Sequence, residues 1–350
     1  MKRKESEEAL DAMESVLAAS APKPRKKNFL ERNFIPLKTD KKREKRRKVL
    51  FDIAVLIMFV CVLVLLWYFI IEPWIAQRSQ EKVKGARPPI ELVTTPEGVT
   101  VPAPPDPEQQ RLSYDKLKAW NPDYIGWLSV PGAEIDLPIV RAENNSTYLK
   151  LDFDKKRSNY GNPFMDYRNK DLFADTNLVI YGHHMRSGSN RIFAKLTNFQ
   201  EKETIYKFPS ITLELKDVTL QYKVAAVFLT NGAPEEDNGY VFAYDTRNFQ
   251  SRESFEGYVK QLKERTLFHT LNGGNIDILY GDHLITLQTC LYGFRNEYLV
   301  VVGRLLREGE DPNIPQDQVH HNQNVRYPQA WYTKYRNGVN PWLKGERWYP

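Results

Sequence analysis

Leu284-Ile285-Thr286-Leu287-Gln288-Thr289-Cys290 decides how the rest of the chain is read. Its aliphatic and β-branched residues predict a buried strand, and the strand ends on a thiol. The sequence holds two cysteines, and the other, Cys61, lies inside a long hydrophobic segment. Cys290 therefore has no intrachain partner that would lock it into a disulfide. A lone thiol at a strand end stands where an active-site nucleophile would. It also suits a small buried hydrophobe, because free Cys is among the most buried residue types.

A thiol becomes a nucleophile at neutral pH only beside a base, a cation or a helix N-terminus. The sequence offers six histidines. His320 and His321 fall in a polar C-terminal tail, and His269 closes a helix-like stretch. His283 starts the same strand as Cys290, but the intervening extended chain separates them by roughly 23 Å. That leaves Val179-Ile180-Tyr181-Gly182-His183-His184-Met185, an apolar strand running into a glycine and two histidines. A histidine pair suits zinc only with further ligands, and none lies at metal-site spacing. No metal or other cofactor is expected.

The remaining signal between Asn121 and Leu306 is mostly β. Gly126 to Gly132 and Ile135 to Val140 are short runs broken by Pro and Gly. Ile211 to Leu215 alternates and predicts a half-buried strand, while Leu220 to Thr230 and Tyr298 to Leu306 suit central strands. Phe255, Tyr258, Val259 and Leu262 mark one helix, with Gly273-Gly274 beyond its end. Many short strands with one or two helices over about 200 residues point to a closed or nearly closed β-barrel.

Charge and hydropathy divide the chain. Residues 1–48 carry 16 Lys/Arg against 8 Asp/Glu, whereas the whole chain is +6, so everything after residue 48 is slightly acidic. The basic balance belongs to a tail, which argues against nucleic acid as a partner of the folded part. Ile53 to Ile71 is an uncharged apolar run of 19 residues, roughly 28 Å as a helix and enough to span a bilayer. Seven of the eight residues 41–48 are basic, and no basic residue follows the run before Arg78. This asymmetry predicts a single-pass protein with its N-terminus cytoplasmic and the bulk of the chain outside. A cleaved signal peptide fits less well: the run is too long, begins too late and lacks a small-residue cleavage site. The expected organisation is a basic cytoplasmic tail over 1–48, a transmembrane helix over 49–72 and a Pro-rich extracellular stalk over 73–106. A catalytic domain over 107–308 and an aromatic-containing extension over 309–350 complete it. Asp106 and Pro107 mark the start of a helix with Leu112, Leu117 and Trp120 as its apolar stripe. For the aromatic residues of the extension, docking on the barrel is the favoured reading.

Tyr181-Gly182-His183 and Thr286-Leu287-Gln288-Thr289-Cys290 resemble the two signatures of sortases. Asn121 to Trp127, Pro131 to Val140, Tyr148 to Phe153 and Gly161 to Asn169 further resemble the class B members of that family, in the expected order. The resemblance covers roughly residues 107 to 306. It implies a mainly β fold: an eight-stranded sortase-type barrel with an N-terminal helix and a helix before the catalytic strand, preceded by the single transmembrane helix. It also implies a cysteine transpeptidase at the membrane of a Gram-positive cell. Cys290 would attack a C-terminal sorting motif on a secreted protein, and the thioester would pass to an amine of a peptidoglycan precursor or a pilin. His183, directly after the glycine, would be the acid/base. The family's arginine usually sits just before the Leu/Phe-Val-Val run, where this chain has Tyr298; Arg295, three positions earlier, is the expected substitute, and Arg304 lies roughly 20 Å beyond Tyr298 along an extended strand. Gln288, Thr289 and Tyr298 are the substrate-groove candidates, with Gln288 on the face of Cys290 and Thr289 pointing away. Two other functions fit the same residues: a cysteine endopeptidase without efficient transfer, and a catalytically impaired wall-binding display protein.

Overall fold

The computed structural model describes residues 13, 28–30, 34–35, 41–88, 92–94, 100–103, 106–183 and 191–350. The chain divides into two compact units, Met1–Pro73 and Trp74–Pro350. In the first, helix α1 spans Lys42–Leu66 and runs into a π-helical turn at Trp67–Ile71. Among the described residues one helical stretch, Lys42–Lys84, is long and apolar enough to cross a membrane. Leu56, Phe59 and Leu63 on it are exposed, so no protein core accounts for their hydrophobicity.

Helix α2 (Glu72–Lys84) reaches into the second unit, and the stretch expected as a stalk is in part packed there. Val83 is buried, the Lys82 ammonium lies over Trp120, and the Arg87 guanidinium lies 4.6 Å from the Trp127 ring. Arg87 also donates to both Glu214 carboxylate oxygens at 2.8 Å. The composition suggested an extended linker, but Val83, Ala86 and the Arg87 fork find partners on the barrel wall. Residues 89–91, 95–99 and 104–105 of the expected stalk lie outside the described residues.

Helix α3 (Pro107–Trp120) begins as its sequence dictates, with the Asp106 carboxylate accepting the Glu108 N–H at 3.0 Å and Pro107 in the first turn. Leu117 is fully buried, but Leu112 is exposed; Tyr114 takes its place in the stripe by packing on Tyr124. Eight strands follow: β1 (Tyr124–Val130), β2 (Ile135–Val140), β3 (Phe164–Met165), β4 (Asn177–Tyr181), β5 (Ser210–Glu214), β6 (Thr219–Asn231), β7 (Leu284–Leu291) and β8 (Glu297–Leu305). They close a barrel in the order β7-β8-β6-β5-β1-β2-β3-β4, with the parallel β4–β7 pair as the final seam. Closure leaves the seam strands without a free edge.

Alternation along the strands sorts their side chains. Leu178, Ile180, Ile285, Leu287, Leu299 and Val301 fill the barrel interior. Leu284, Val300 and Val302 face outward beneath helix α4 (Arg252–Arg265) and pack with its Phe255, Tyr258 and Leu262. The alternation of β5 predicts one wet face, yet all five of its residues are buried, with Glu214 on the polar face covered by Arg87.

The chain beyond β8 folds back onto the barrel domain. His320–His321 pairs with Phe268–His269, so His269 sits on a short strand past the end of α4 instead of closing a helix. Helix α5 (Gln329–Tyr335) follows, and Trp348 inserts against Tyr258 and Phe242 with its indole N–H donating to Ser254 O at 3.0 Å. Tyr332 and Trp348 of the polar tail thus dock, whereas Tyr335 and Tyr349 stay exposed.

Candidate active site

The seam between β4 and β7 brings the two sequence signatures together. These strands run parallel with Leu284 beside Asn177 and Gln288 beside Tyr181. Past the last pair, the Gly182 N–H donates to Gln288 O at 3.0 Å, and the Thr289 hydroxyl donates to Gly182 O at 3.0 Å. His183 is two residues beyond Tyr181 and Cys290 two beyond Gln288, the last paired residues of the seam. The glycine is required here by close approach: a Cβ at Gly182 would lie 2.0 Å from the ring of Phe193. That fully buried ring pins the chain as it returns from the loop, with the Phe193 N–H donating to His183 O at 3.4 Å. His184 lies outside the described residues.

Face alternation separates the residues around the thiol. Thr289 is fully buried, its hydroxyl spent on Gly182, whereas Gln288 and Cys290 alternate with it onto the outer face. Tyr298 pairs directly across from Cys290 in the antiparallel β7–β8 ladder and shares that face. Its ring lies on Gly232, where a Cβ would come within 2.5 Å of it. Burial pushes the half-buried Cys290 thiol above its ordinary range. Burial, and then the charge of Cys290, push the Tyr298 phenol up as well. A thiol with a raised pKa is protonated at neutral pH and reacts only if a neighbour takes its proton.

The two arginines of this strand pair differ. Arg295 is exposed in the turn between β7 and β8 and makes no ion pair with the described residues. Arg304 pairs with Leu284 at the opposite end, is fully buried, and donates to Asp277 Oδ2 at 2.5 Å, to Asp277 O at 3.0 Å and to both Glu310 carboxylate oxygens. Arg304 therefore has no free donor and stands far from the thiol.

A polar network behind the seam leaves no pattern in the sequence. The Tyr181 hydroxyl donates to Asp166 at 2.8 Å, and Arg168 joins Asp166 at 2.6 Å to Asp245 at 2.5 Å. Burial alone would raise the Asp166 carboxyl, but its bonds from Arg168 and Tyr181 hold it below the usual carboxylate range. Asp166 and Arg168 occur in a loop without periodicity, so only the family-like segment Gly161 to Asn169 hinted at them. Among the described residues no group of three or more His, Cys, Asp or Glu side chains is placed to hold a metal ion.

A profile of the sortase domain matches residues 128–306, just over half of the chain. The Sortase B of Listeria monocytogenes is 30% identical over 174 residues, 50% of this chain and 65% of that protein, so the match spans just under two thirds of that relative. The Sortase B of Staphylococcus aureus is 25% identical over 202 residues, 57% of this chain and 77% of that one. The X-ray structure of a mutant form of Clostridium perfringens sortase B matches with a TM-score of 0.55 and 28% identity, covering 66% of this chain and 98% of that one. With the closed eight-stranded barrel and the seam, these similarities mean that the chain belongs to the sortase family, whose members are cysteine transpeptidases. Within that family it is a class B sortase.

Proposed function

We propose that this chain is a membrane-anchored sortase that cleaves a C-terminal sorting motif on secreted proteins and transfers the acyl group to an amine. In this reading Cys290 is the nucleophile, His183 the acid/base and Arg295 the oxyanion donor. His183 takes the thiol proton, and the sulfur attacks the backbone carbonyl carbon next to the scissile bond. The oxyanion that forms is met by the Arg295 guanidinium, a planar fork suited to it. Collapse breaks the C–N bond, the departing amine takes its proton from His183, and a thioester remains on Cys290. An incoming amine, from a peptidoglycan precursor or a pilin, gives its proton to His183, attacks the thioester and releases the thiol.

The observation that supports this reading is the register of the β4–β7 seam, whose last pair, Gln288 beside Tyr181, lies two residues before Cys290 and His183 on their chains. The anchor rests on the exposed apolar helix and the basic run before it, from which we infer a cytoplasmic N-terminus and an extracellular catalytic domain over residues 107–308. Residues 309–350 belong to that domain as a docked extension, and residues 1–48 form the basic tail.

Incubation of the full-length protein with a sorting-motif peptide, with and without an amine nucleophile, separates transfer from simple hydrolysis. Cys290→Ala should abolish both thioester formation and transfer while the protein stays folded. Substantial turnover in that variant would remove Cys290 from the role, and release of free acid at the same rate with or without amine would make the protein an endopeptidase.

A further inference from the structure

The turn after Cys290 is held from outside the barrel core. The Glu297 carboxylate accepts the Gly293 N–H at 2.5 Å and the Phe294 N–H at 3.3 Å, which folds residues 292–296 back onto the start of β8. Gly293 is needed for this, because a Cβ there would lie 2.5 Å from Glu297 Oε2. On the far side of the same residue, the Lys334 ammonium from helix α5 donates to Gly293 O, and its charge also acts on Glu297. Gly293 is thus gripped by both its backbone groups, one by a carboxylate of the strand and one by a lysine of the C-terminal extension.

Helix α5 is itself fixed. Its first N–H, that of Gln329, donates to Asp237 Oδ1 at 2.9 Å. Just before it, Arg326 donates to Glu264 of α4 at 2.8 Å and to Glu346 O at 2.6 Å. The loop carrying Asp237 also meets the turn, through Asn296 Nδ2 to Glu236 and the Gly232 N–H to Asn296 O at 2.7 Å. Arg295 lies between these fixed points, two residues past Gly293 and one before Asn296.

We propose that the extension, residues 309–350, is a positioning element for the sortase reaction, with Lys334 as the positioning residue that holds the Arg295 turn in register with Cys290. The inference rests on the role given to Arg295 above. A guanidinium on an unbraced turn spends much of its time away from the oxyanion, and small misplacements of a transition-state donor are expensive. The extension thereby acts inside its own chain, on the turn that carries the donor.

The test uses the full-length protein in detergent and compares Lys334→Ala with Lys334→Arg, which keeps a cationic donor. Lys334→Ala should lower kcat for transfer between about 10- and 100-fold, with KM within about twofold, an unchanged Tm and faster amide exchange across residues 292–297. Lys334→Arg should retain most of the turnover. In an Arg295→Ala background, Lys334→Ala should cause little further loss, because both changes remove one interaction. Wild-type kcat in Lys334→Ala, a loss that multiplies with that of Arg295→Ala, or a loss that follows a lowered Tm would each overturn the proposal. If the wild-type protein turns over no sorting-motif peptide, it is the proposed function that fails; exchange across 292–297 then decides the brace alone, faster in Lys334→Ala supporting it and unchanged overturning it.

Discussion

Strands β7 and β8 carry an arginine toward each end of their ladder, and the two could hardly be more different. At one end Arg304 is sealed from solvent, with its donors spent on Asp277, Glu310 and the Asp277 and Leu305 carbonyls. At the other, Arg295 stands exposed in the turn that follows the half-buried Cys290, and it makes no ion pair with the described residues. A saturated buried guanidinium stabilises a fold and has nothing left to offer a substrate. An exposed one keeps its five donors available. The same residue type serves structure at one end of the ladder and stays solvent-exposed in the turn at the other.

Substitution at each end should break this symmetry in opposite ways. Arg295→Ala should cost about 2.7–4 kcal/mol of transition-state stabilisation, ~100- to 1000-fold in turnover, with no change in Tm. Arg295→Lys should recover only part, since the fork is lost. Arg304→Ala takes the buried cation from between Asp277 and Glu310, leaving them only Lys223 and Arg307, and should destabilise the fold by about 3 kcal/mol, while the folded fraction turns over near the wild-type rate. Normal turnover in Arg295→Ala, together with a turnover defect in folded Arg304→Ala, would reverse the assignment.

The thiol end can be sharpened by pH. Burial holds the Cys290 thiol above its ordinary value, and the reactive form is the thiolate. With His183→Ala the base assigned in this reading is removed, so alkylation at neutral pH should be slow and rise about tenfold per pH unit until the raised pKa is passed. The wild-type protein should react faster at neutral pH and depend less steeply on pH. Superimposable profiles would show that His183 does not act on the sulfur.

The strand that carries the candidate site was more legible in the sequence than its supports. Strand β7 announced itself through its aliphatic and β-branched residues, and the outward phase of Gln288 and the inward phase of Thr289 follow from alternation alone. Helix α4 was marked by its Phe255–Leu262 spacing. The supports were hidden because they are single polar residues whose partners lie far along the chain. Arg87 finds Glu214, Asp166 finds Tyr181, and Lys334 finds Gly293, and none of these pairs leaves a periodic trace. The docking of Val83 was hidden for a related reason: a charged, Pro-flanked segment reads as a linker until the wall that receives it is known.

Tyr298 gives the finest division between the two ends, since it occupies the position where the resemblance implies an arginine and faces Cys290 across the ladder. Its ring rests on Gly232, which leaves no room for any other side chain beneath it. A guanidinium placed there would lie over the same glycine and extend along the face shared with Cys290. In an Arg295→Ala background, Tyr298→Arg should therefore restore turnover about tenfold, some 1.4 kcal/mol, without restoring all of it, because the new side chain lacks the turn that orients Arg295. Kinetics of the double variant against Arg295→Ala alone, at matched Tm, measure this directly. No rescue, with the double variant fully folded, would mean that the two positions do not serve one oxyanion, and that the exposed arginine of the turn owes its freedom to solvent alone.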